Sequence, residues 1–550
     1  MLNNMFPSTQ QFTLAIFVSI ANAFVLLGCS IRLLHIFQLG GYKPRNFLTW
    51  LFERKAKFYV RLFVLSVLSF GSMFVVNILF IKFPAVEYLS YLGMIFYFYF
   101  AFVFITGTQR EPTKVSLKFT ARIKRLVFVM AFVLFALSFV VVWLGSMNKY
   151  IRFSLIAAIP AVLPAVLLLC NYILWPYEAG VRAGFLARAQ RKLRRPEYAN
   201  LVRIGITGSW GKTSCKNILA KMLACKYNVA ASPSSFNTPM GFTKTVNNVL
   251  ECGHEVLIFE MGARYPGDIR YLCNLFRPTY GILTDIGPQH IETMHSIDVI
   301  KRTKADLLRA LPRDGGVAIT NGDSRECREV FAELDLKNKF LCSVDKVRDS
   351  DAWVEDLSAT ADGCVFKLCL KDSKAVECKT RLLGRHNIEN ILLCAIAANR
   401  LGVSVRDIAA AVRELEPIPH RLELIRAANG VLILDDSYNA SVGGTAAALE
   451  VLSLFRGQKV VMTPGLVELG ARAAEENFKF GMRIAKIADK VIIMGEVNRG
   501  AIRDGLHSKK FREENIFFAK NLDEAKGMYS VMLAPGDVLL IENDLPDNYL

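Results

Sequence analysis

Five stretches of the first 175 residues, at positions 12–30, 62–83, 86–106, 126–144 and 153–175, are apolar throughout. Each is long enough to cross about 30 Å of hydrocarbon. Backbone exposed to lipid must satisfy its own polar groups, so these stretches are constrained to helix. Five crossings predict termini on opposite sides. The link between the first two carries Lys43, Arg45, Arg54, Lys55, Lys57 and Arg61. The link between the third and fourth carries Arg110, Lys114, Lys118, Arg122, Lys124 and Arg125. Links 81–87 and 145–152 carry few charges, so the basic loops are predicted to face the cytoplasm, with the N-terminus outside and everything after Trp175 inside. The opening MLNNMFPSTQ has no basic n-region, which predicts a retained anchor and not a cleaved signal. Few ionisable residues fall inside the spans, so no ion or proton pathway is indicated and anchoring is the expected role.

A chain of 550 residues exceeds what one core supports, since single domains stop growing near roughly 250–300 residues. Three modules are expected: a membrane region over 1–196, then domains over 197–421 and 422–550. The mean hydropathy of +0.31 is high although charged residues make up 21% of the chain, so the apolar excess is local, and it lies in the first third. The net charge of +18 collects beside the apolar stretches. There it reads as topology and attraction to anionic lipid, and no nucleic acid partner is expected. Positions 177–195 interleave Val181, Phe185, Leu186 and Leu193 with six Arg and Lys residues. They form either a helix lying along the headgroups or a plain connecting helix. The twelve cysteines form no CxxC pair, which indicates neither a zinc site nor a disulfide framework and fits a reducing cytoplasm.

From Leu201 the pattern changes to short apolar runs that enter loops, VRIGITG, EVLIFEMG, YGILTDIG and GVAITNGD, with helical stretches between them. That is α/β architecture. The first run leads into Gly208-Ser209-Trp210-Gly211-Lys212-Thr213-Ser214 and then a helical stretch. A strand, glycine loop and helix in this order bind phosphate, because backbone amides and a helix N-terminus converge on the anion. Lys212 supplies charge to the β and γ phosphates of ATP, and the Thr213 hydroxyl reaches Mg2+. Ile206 stands where the full Walker pattern has glycine, so the loop is a GxxGKT variant. After about Leu422 the strand candidates VLILDD, KVVMTPG, KVIIMGE and DVLLIEN alternate with helical stretches and predict a Rossmann-like domain.

The short loop resembles that of the Mur ligases, and further matching strings follow in order along the chain. SSFNTPMGF holds Asn237, FEMGA holds Glu260, DIGPQHIE holds His290 and KRTKADLL holds Lys304. GRHNIENILLCAIAA holds Asn387 and Asn390, PHRLELI holds Arg421, and LDDSYNAS holds Asp436 and Tyr438. EMGA and DSYNA look most like the branch that adds D-alanyl-D-alanine to a muramoyl tripeptide. The resemblance runs from about Leu201 to the C-terminus.

It implies an ATP-dependent, ADP-forming ligase that makes an amide bond through an acyl phosphate. Gly208, Gly211, Lys212, Thr213, Ser214 and Asn237 would hold the phosphates, with Arg421 beside the γ phosphate. Thr213, Glu260 and His290 would hold magnesium. Lys304 matches a lysine that the family carbamylates, which would let it help hold a second magnesium. Asn387 and Asn390 would meet adenine, after His386 at the turn; Asp436 would contact the nucleotide and Tyr438 pack on the base. Singly, several of these residues also suit ordinary caps and turns. In this family the C-terminal domain binds the amine and closes over the ATP domain, and residues 463–470, TPGLVELG, would help orient that amine.

Members of this branch carry a soluble N-terminal domain that binds the UDP end of the substrate, and membrane helices stand in its place here. The expected partners are a muramoyl-peptide or lipid-linked wall precursor, an amino acid or dipeptide amine, membrane lipid, and envelope enzymes. Three enzyme readings stand: D-alanyl-D-alanine addition, modification of a lipid-linked precursor, and polyglutamate-type synthesis. A membrane scaffold with a relic nucleotide site is the alternative outside enzymes, and the intact set of Lys212, Thr213, Glu260, His290, Lys304 and Arg421 argues against it.

Overall fold

The computed structural model describes residues 9–54, 56–81, 92–109, 116–146, 154–438, 440–467 and 469–543. It divides into two compact units, Met1–Arg182 with Leu545–Leu550, and Ala183–Asp544.

The first unit is helical. Among the described residues four helices are long and apolar enough to cross a membrane: Phe12–Leu39, Phe58–Ile78, Ala121–Leu144 and Ser154–Leu193. The third stretch expected from the sequence forms the helix Leu92–Gln109, of which Gly93–Thr108 is a shorter apolar segment. Positions 86–91, and the expected links at 82–87 and 147–152, lie outside the described residues, as do Lys55, Arg110 and Lys114. Phe24, Phe128 and Tyr172 expose 72%, 76% and 77% of their surface, an arrangement suited to a lipid surround and costly in water. Inside the bundle three polar side chains pair with one another. Tyr97 Oη donates to Asn22 Oδ1 at 2.6 Å, and Asn22 Nδ2 donates to Ser138 Oγ at 2.8 Å.

The basic stretch at 177–195 is no separate surface helix, because it continues the helix Ile159–Leu193. Beyond Ala183 this helix belongs to the second unit, where Ala189 and Leu193 pack with Tyr198, Leu201 and Phe242. Lys192 Nζ donates there to the carbonyl oxygen of Leu250 at 2.5 Å.

Two sheets build the second unit. The first contains β1 (Val202–Thr207), β2 (Val229–Ala231), β3 (Val256–Glu260), β4 (Tyr280–Leu283), β5 (Val317–Asn321), β6 (Asn338–Cys342), β7 (Ala352–Thr360), β8 (Gly363–Leu370) and β9 (Val376–Thr380). Their order is β2-β3-β1-β4-β5-β6-β7-β8-β9, parallel as far as β7 and antiparallel after it. The central strands are apolar on both sides, and separate cores cover the two faces. β2 and β3 lie to one side of β1 and β4 to the other, which makes the carboxyl end of β1 a topological switch point.

The second sheet contains β10 (Glu423–Arg426), β11 (Leu432–Asp436), β12 (Lys459–Thr463), β13 (Lys490–Met494), β14 (Ile516–Ala519) and β15 (Val538–Glu542). Its order is β10-β11-β15-β12-β13-β14, with only β10 antiparallel. β13 and β14 continue outward from β12, and β15 returns on its other side, so the switch point lies between β12 and β15.

Candidate active site

Three neighbouring parallel strands deliver the site. β1 pairs with β3 through Ile206↔Glu260 and with β4 through Thr207↔Leu283, so the glycine loop, Glu260 and Asp285 share one edge. At Gly211, the residue before the helix Lys212–Leu223, φ is +79°, and a Cβ there would stand 2.5 Å from Asn390 Oδ1. Only glycine lets the loop pass so close to the helix Arg385–Arg400. Gly208 is likewise closed to a side chain, by Thr284.

Around this loop the protein collects buried cations. Lys212 Nζ donates to the carbonyl oxygens of Gly208 and Ser209 at 2.8 and 3.1 Å. Burial lowers its pKa to about 8; Glu260 opposes the shift and Arg421 adds to it. Lys304 Nζ donates to the Gly208 carbonyl oxygen at 2.8 Å, and burial, reinforced by Lys212, holds its ammonium well below the usual lysine range. Lys216, on the same helix face one turn after Lys212, reaches the Ser234 carbonyl oxygen, and burial lowers its pKa too. Three lysines and Arg421 with so few acceptors make a site short of negative charge.

Thr213 and Glu260 meet directly: Thr213 Oγ1 donates to Glu260 Oε2 at 2.8 Å, and Asn237 Nδ2 donates to Oε1 at 3.3 Å. Arg421 Nη2 donates to Thr213 Oγ1 at 3.2 Å, and its guanidinium lies 4.5 Å from the centre of the Tyr438 ring. Tyr438 Oη and Ser235 Oγ are 2.6 Å apart.

A cavity of about 420 Å³ opens beside the loop, lined by Ser214, Asn217, Lys221, Asn387, Arg421 and the segment 414–419. Asn387, anchored by donation to the Leu383 carbonyl oxygen at 2.8 Å, lines that cavity. Asn390 does not line that cavity. It abuts Gly211, accepts from Cys215 Sγ at 3.1 Å, and its buried Nδ2 has no partner among the described residues. The i, i+3 spacing that grouped the two asparagines ignored the 4.5 Å or so that a helix rises over three residues. Tyr438 also departs from expectation, held under Arg421 and against Ser235 and absent from the cavity wall.

His290 lines a small cavity with Trp210, Gln289, Ala440 and Val467. Among the described residues no three His, Cys, Asp or Glu side chains gather closely enough to hold a metal. The Thr213–Glu260 pair nevertheless fits magnesium, which takes one or two protein ligands and completes its shell with phosphate and water. The phosphates of ATP fit as well. Asn390 offers an unused amide donor, and leaving such a donor buried costs about 1–3 kcal/mol.

Asp436 accepts from the Leu422 amide at 3.1 Å, and burial raises its pKa to about 6. Its register partner Glu542 is fully buried and was not anticipated, although an acid closing the apolar run VLLI was a visible signal. Lys216 was equally legible, four residues after Lys212. The 414–419 wall was not, since a Pro-containing linker names no partner until it is folded.

Residues 206–398 match the Mur ligase middle domain and residues 420–542 the Mur ligase glutamate ligase domain. The chain is 30% identical over 392 residues to the UDP-N-acetylmuramoyl-tripeptide--D-alanyl-D-alanine ligase of Mycobacterium tuberculosis, covering 66% of this chain and 75% of that one. It is 30% identical over 295 residues to the Escherichia coli enzyme of the same name, covering 53% and 64%. Among solved structures, MurF from Thermotoga maritima in complex with ADP superposes with a TM-score of 0.58 at 25% identity, covering 66% and 80%. MurF from Acinetobacter baumannii shares the fold, with a TM-score of 0.59 at 23% identity, covering 66% and 77%.

Proposed function

The chain belongs to the Mur ligase family, an ATP-dependent, ADP-forming ligase of the MurF-like branch, and from that premise we propose that it adds D-alanyl-D-alanine to a muramoyl-peptide precursor of the cell wall. A carboxylate is a poor electrophile. Transfer of the γ phosphoryl group of ATP to a carboxylate oxygen gives an acyl phosphate and ADP. Attack by the amine nitrogen then forms the C–N bond, breaks the C–O bond to phosphate and releases a proton. The observation that carries this reading is the buried cluster of Lys212, Lys216, Lys304 and Arg421 around a glycine loop at the switch point of the first sheet.

Each of these residues has a role. Lys212, Asn390 and the amides of Gly208–Ser214 cradle phosphate, and Arg421 neutralises charge gathering on the transferred group. Thr213 and Glu260, with Asn237 beside them, would hold magnesium, which would supply Lewis-acid neutralisation of the phosphates. His290, which lines the neighbouring cavity with Trp210, would add a ligand from its loop. Burial disfavours the Lys304 ammonium, and a carbamate formed there with carbon dioxide would exchange that cation for an anion able to help hold a second magnesium. Asn387 and Ser214 would face the nucleoside, and residues 463–467 would face the amine. The helical unit spans the cytoplasmic membrane with its basic loops and the ligase unit on the inner side.

A second reading concerns the acyl substrate. The matched relatives extend beyond the shared domains, whereas this chain carries apolar helices before residue 206. That difference favours a precursor carried on membrane lipid over one carried on UDP.

The test is ADP release by the detergent-solubilised chain with UDP-muramoyl tripeptide and D-alanyl-D-alanine, beside the same peptide on a lipid carrier, with Lys212→Ala as control. Release that needs both substrates and is absent in the control upholds the ligase reading, and the preferred carrier decides the second. No release with either acyl substrate overturns the muramoyl-peptide reading.

A further inference from the structure

Ligands of open α/β sheets sit outside the carboxyl ends of the strands, at the switch point. In the second sheet that place lies beyond Thr463 of β12 and Glu542 of β15. Its other polar side chains are used. Asn543 Nδ2 donates to the Gly465 carbonyl oxygen at 2.6 Å, Asn498 Nδ2 to that of Pro464 at 3.0 Å, and Asn477 Nδ2 to that of Leu466 at 3.0 Å. Glu542 is the exception: it is 0% exposed and neither carboxyl oxygen has a partner among the described residues.

Alternation along β15 puts Glu542 on the face of Val538 and Leu540, which pack with the helix Val442–Ser453. Asp436 stands on the same face of β11, in register with Glu542. Arg421 lies within electrostatic reach of Asp436 and also donates to Thr213, which links this pair to the phosphate loop. Two adjoining carboxyl groups, with Arg421 near Asp436 and no hydrogen-bond partner on Glu542, are disfavoured as anions, and both are held above the usual carboxylate range by burial. Such a pair binds a proton or receives a cation. A divalent metal is a poor fit, since no third ligand gathers among the described residues. A primary ammonium fits, because its three donors match free carboxyl oxygens.

We propose that Glu542, flanked by Asp436, is the binding point for the ammonium group of the amine substrate. The proposal rests on the ligase reading above and adds the residue that recognises the nucleophile. It places the amine at the C-terminal sheet's switch point, on the side that Arg421 joins to the phosphate loop.

The experiment is equilibrium dialysis with the full chain in detergent, loaded with a non-hydrolysable ATP analogue and magnesium. The probes are D-alanyl-D-alanine and single D- and L-amino acids, each free and N-acetylated. Free amine is expected to bind, and N-acetylation and Glu542→Gln are each expected to weaken binding about tenfold or more, the loss of a charge-assisted contact. The Kd for the ATP analogue is expected to stay unchanged in the variant. Equal binding of free and acetylated amine, equal binding by variant and wild type, or no binding of any free amine overturns the proposal. Binding of another amine but not the dipeptide, lost in Glu542→Gln, upholds it and removes D-alanyl-D-alanine from the reading above. If melting shows that the variant does not fold, the acetylated pair on wild type decides.

Discussion

The two sheets of the ligase unit are built alike and charged oppositely. Each is mainly parallel, is covered on both faces by apolar side chains, and opens a switch point at its carboxyl edge. At the first edge Lys216 and Lys304 are buried beside the half-buried Lys212, with Glu260 among them, and at the second Asp435 and Glu542 are buried beside the half-buried Asp436. Architecture therefore fixes where a ligand sits, and the residues closing the strands fix its sign. The first edge suits an anionic phosphate chain and the second a cationic amine. A ligase needs both, because it must make a carboxylate electrophilic and then present a nucleophile to it.

The largest effect expected from breaking this contrast is at the first edge. Lys212→Ala should lower the rate of ADP release by about 10²- to 10³-fold, comparable to loss of a preorganised transition-state donor. A rate within threefold of wild type would remove Lys212 from the phosphate site. Next comes the second edge. The Asp436 pKa is raised to about 6 from an unfolded value of 3.8, so the native state binds more protons between those values and stability falls as pH rises through that window. Asp436→Asn should then stabilise the ligand-free protein by about 1–3 kcal/mol at pH 7 and by nothing below the unfolded pKa. Thermal melts at both pH values measure this, and equal shifts at the two would contradict it.

Lys212 gives the opposite sign. Its pKa is lowered to about 8, so the unfolded chain binds more protons between there and 10.5, and the ligand-free fold gains stability as pH rises across that range. Phosphate needs the charged form. Affinity for an ATP analogue should therefore fall by up to about tenfold per pH unit above pH 8, and Lys212→Arg should flatten the profile because arginine stays charged. A profile unchanged by that substitution would assign the titration to another group. The smallest effect is at the contact between the two domains. Tyr438→Phe removes the 2.6 Å contact with Ser235 and should cost about 0.5–1.5 kcal/mol, read as a few-fold rise in KM with kcat nearly unchanged.

Much of this was legible in the sequence. Apolar runs entering glycine and acidic loops gave the α/β order, and the strand-loop-helix around Gly208–Ser214 is present in the fold as its pattern predicts. Thr213 and Glu260, far apart in the chain, meet in the structure with Asn237 beside them, whereas His290, expected with them, lines the cavity of Trp210 and Ala440. What failed was position within the site. Asn390 and Tyr438 were assigned to the base from string order, and string order carries no depth along a helix and no side-chain direction. Glu542 was missed because a single acid ending a strand has many ordinary explanations, and only its full burial with empty oxygens sets it apart. For the basic stretch after the last span the sequence leaves a headgroup helix and a connecting helix open, because charge pattern alone does not reveal that Ala189 and Leu193 pack into the ligase unit.

The division of labour between the two edges is tested most directly by trapping the activated carboxylate without the amine. Hydroxylamine is largely neutral near pH 7 and attacks acyl phosphates without needing an ammonium site. With ATP, magnesium and the muramoyl-peptide precursor, wild type and Glu542→Gln should form hydroxamate at similar rates, one per ADP, while Lys212→Ala forms almost none. Hydroxamate lost equally in Glu542→Gln and Lys212→Ala would contradict the assignment of phosphate to one edge and amine to the other.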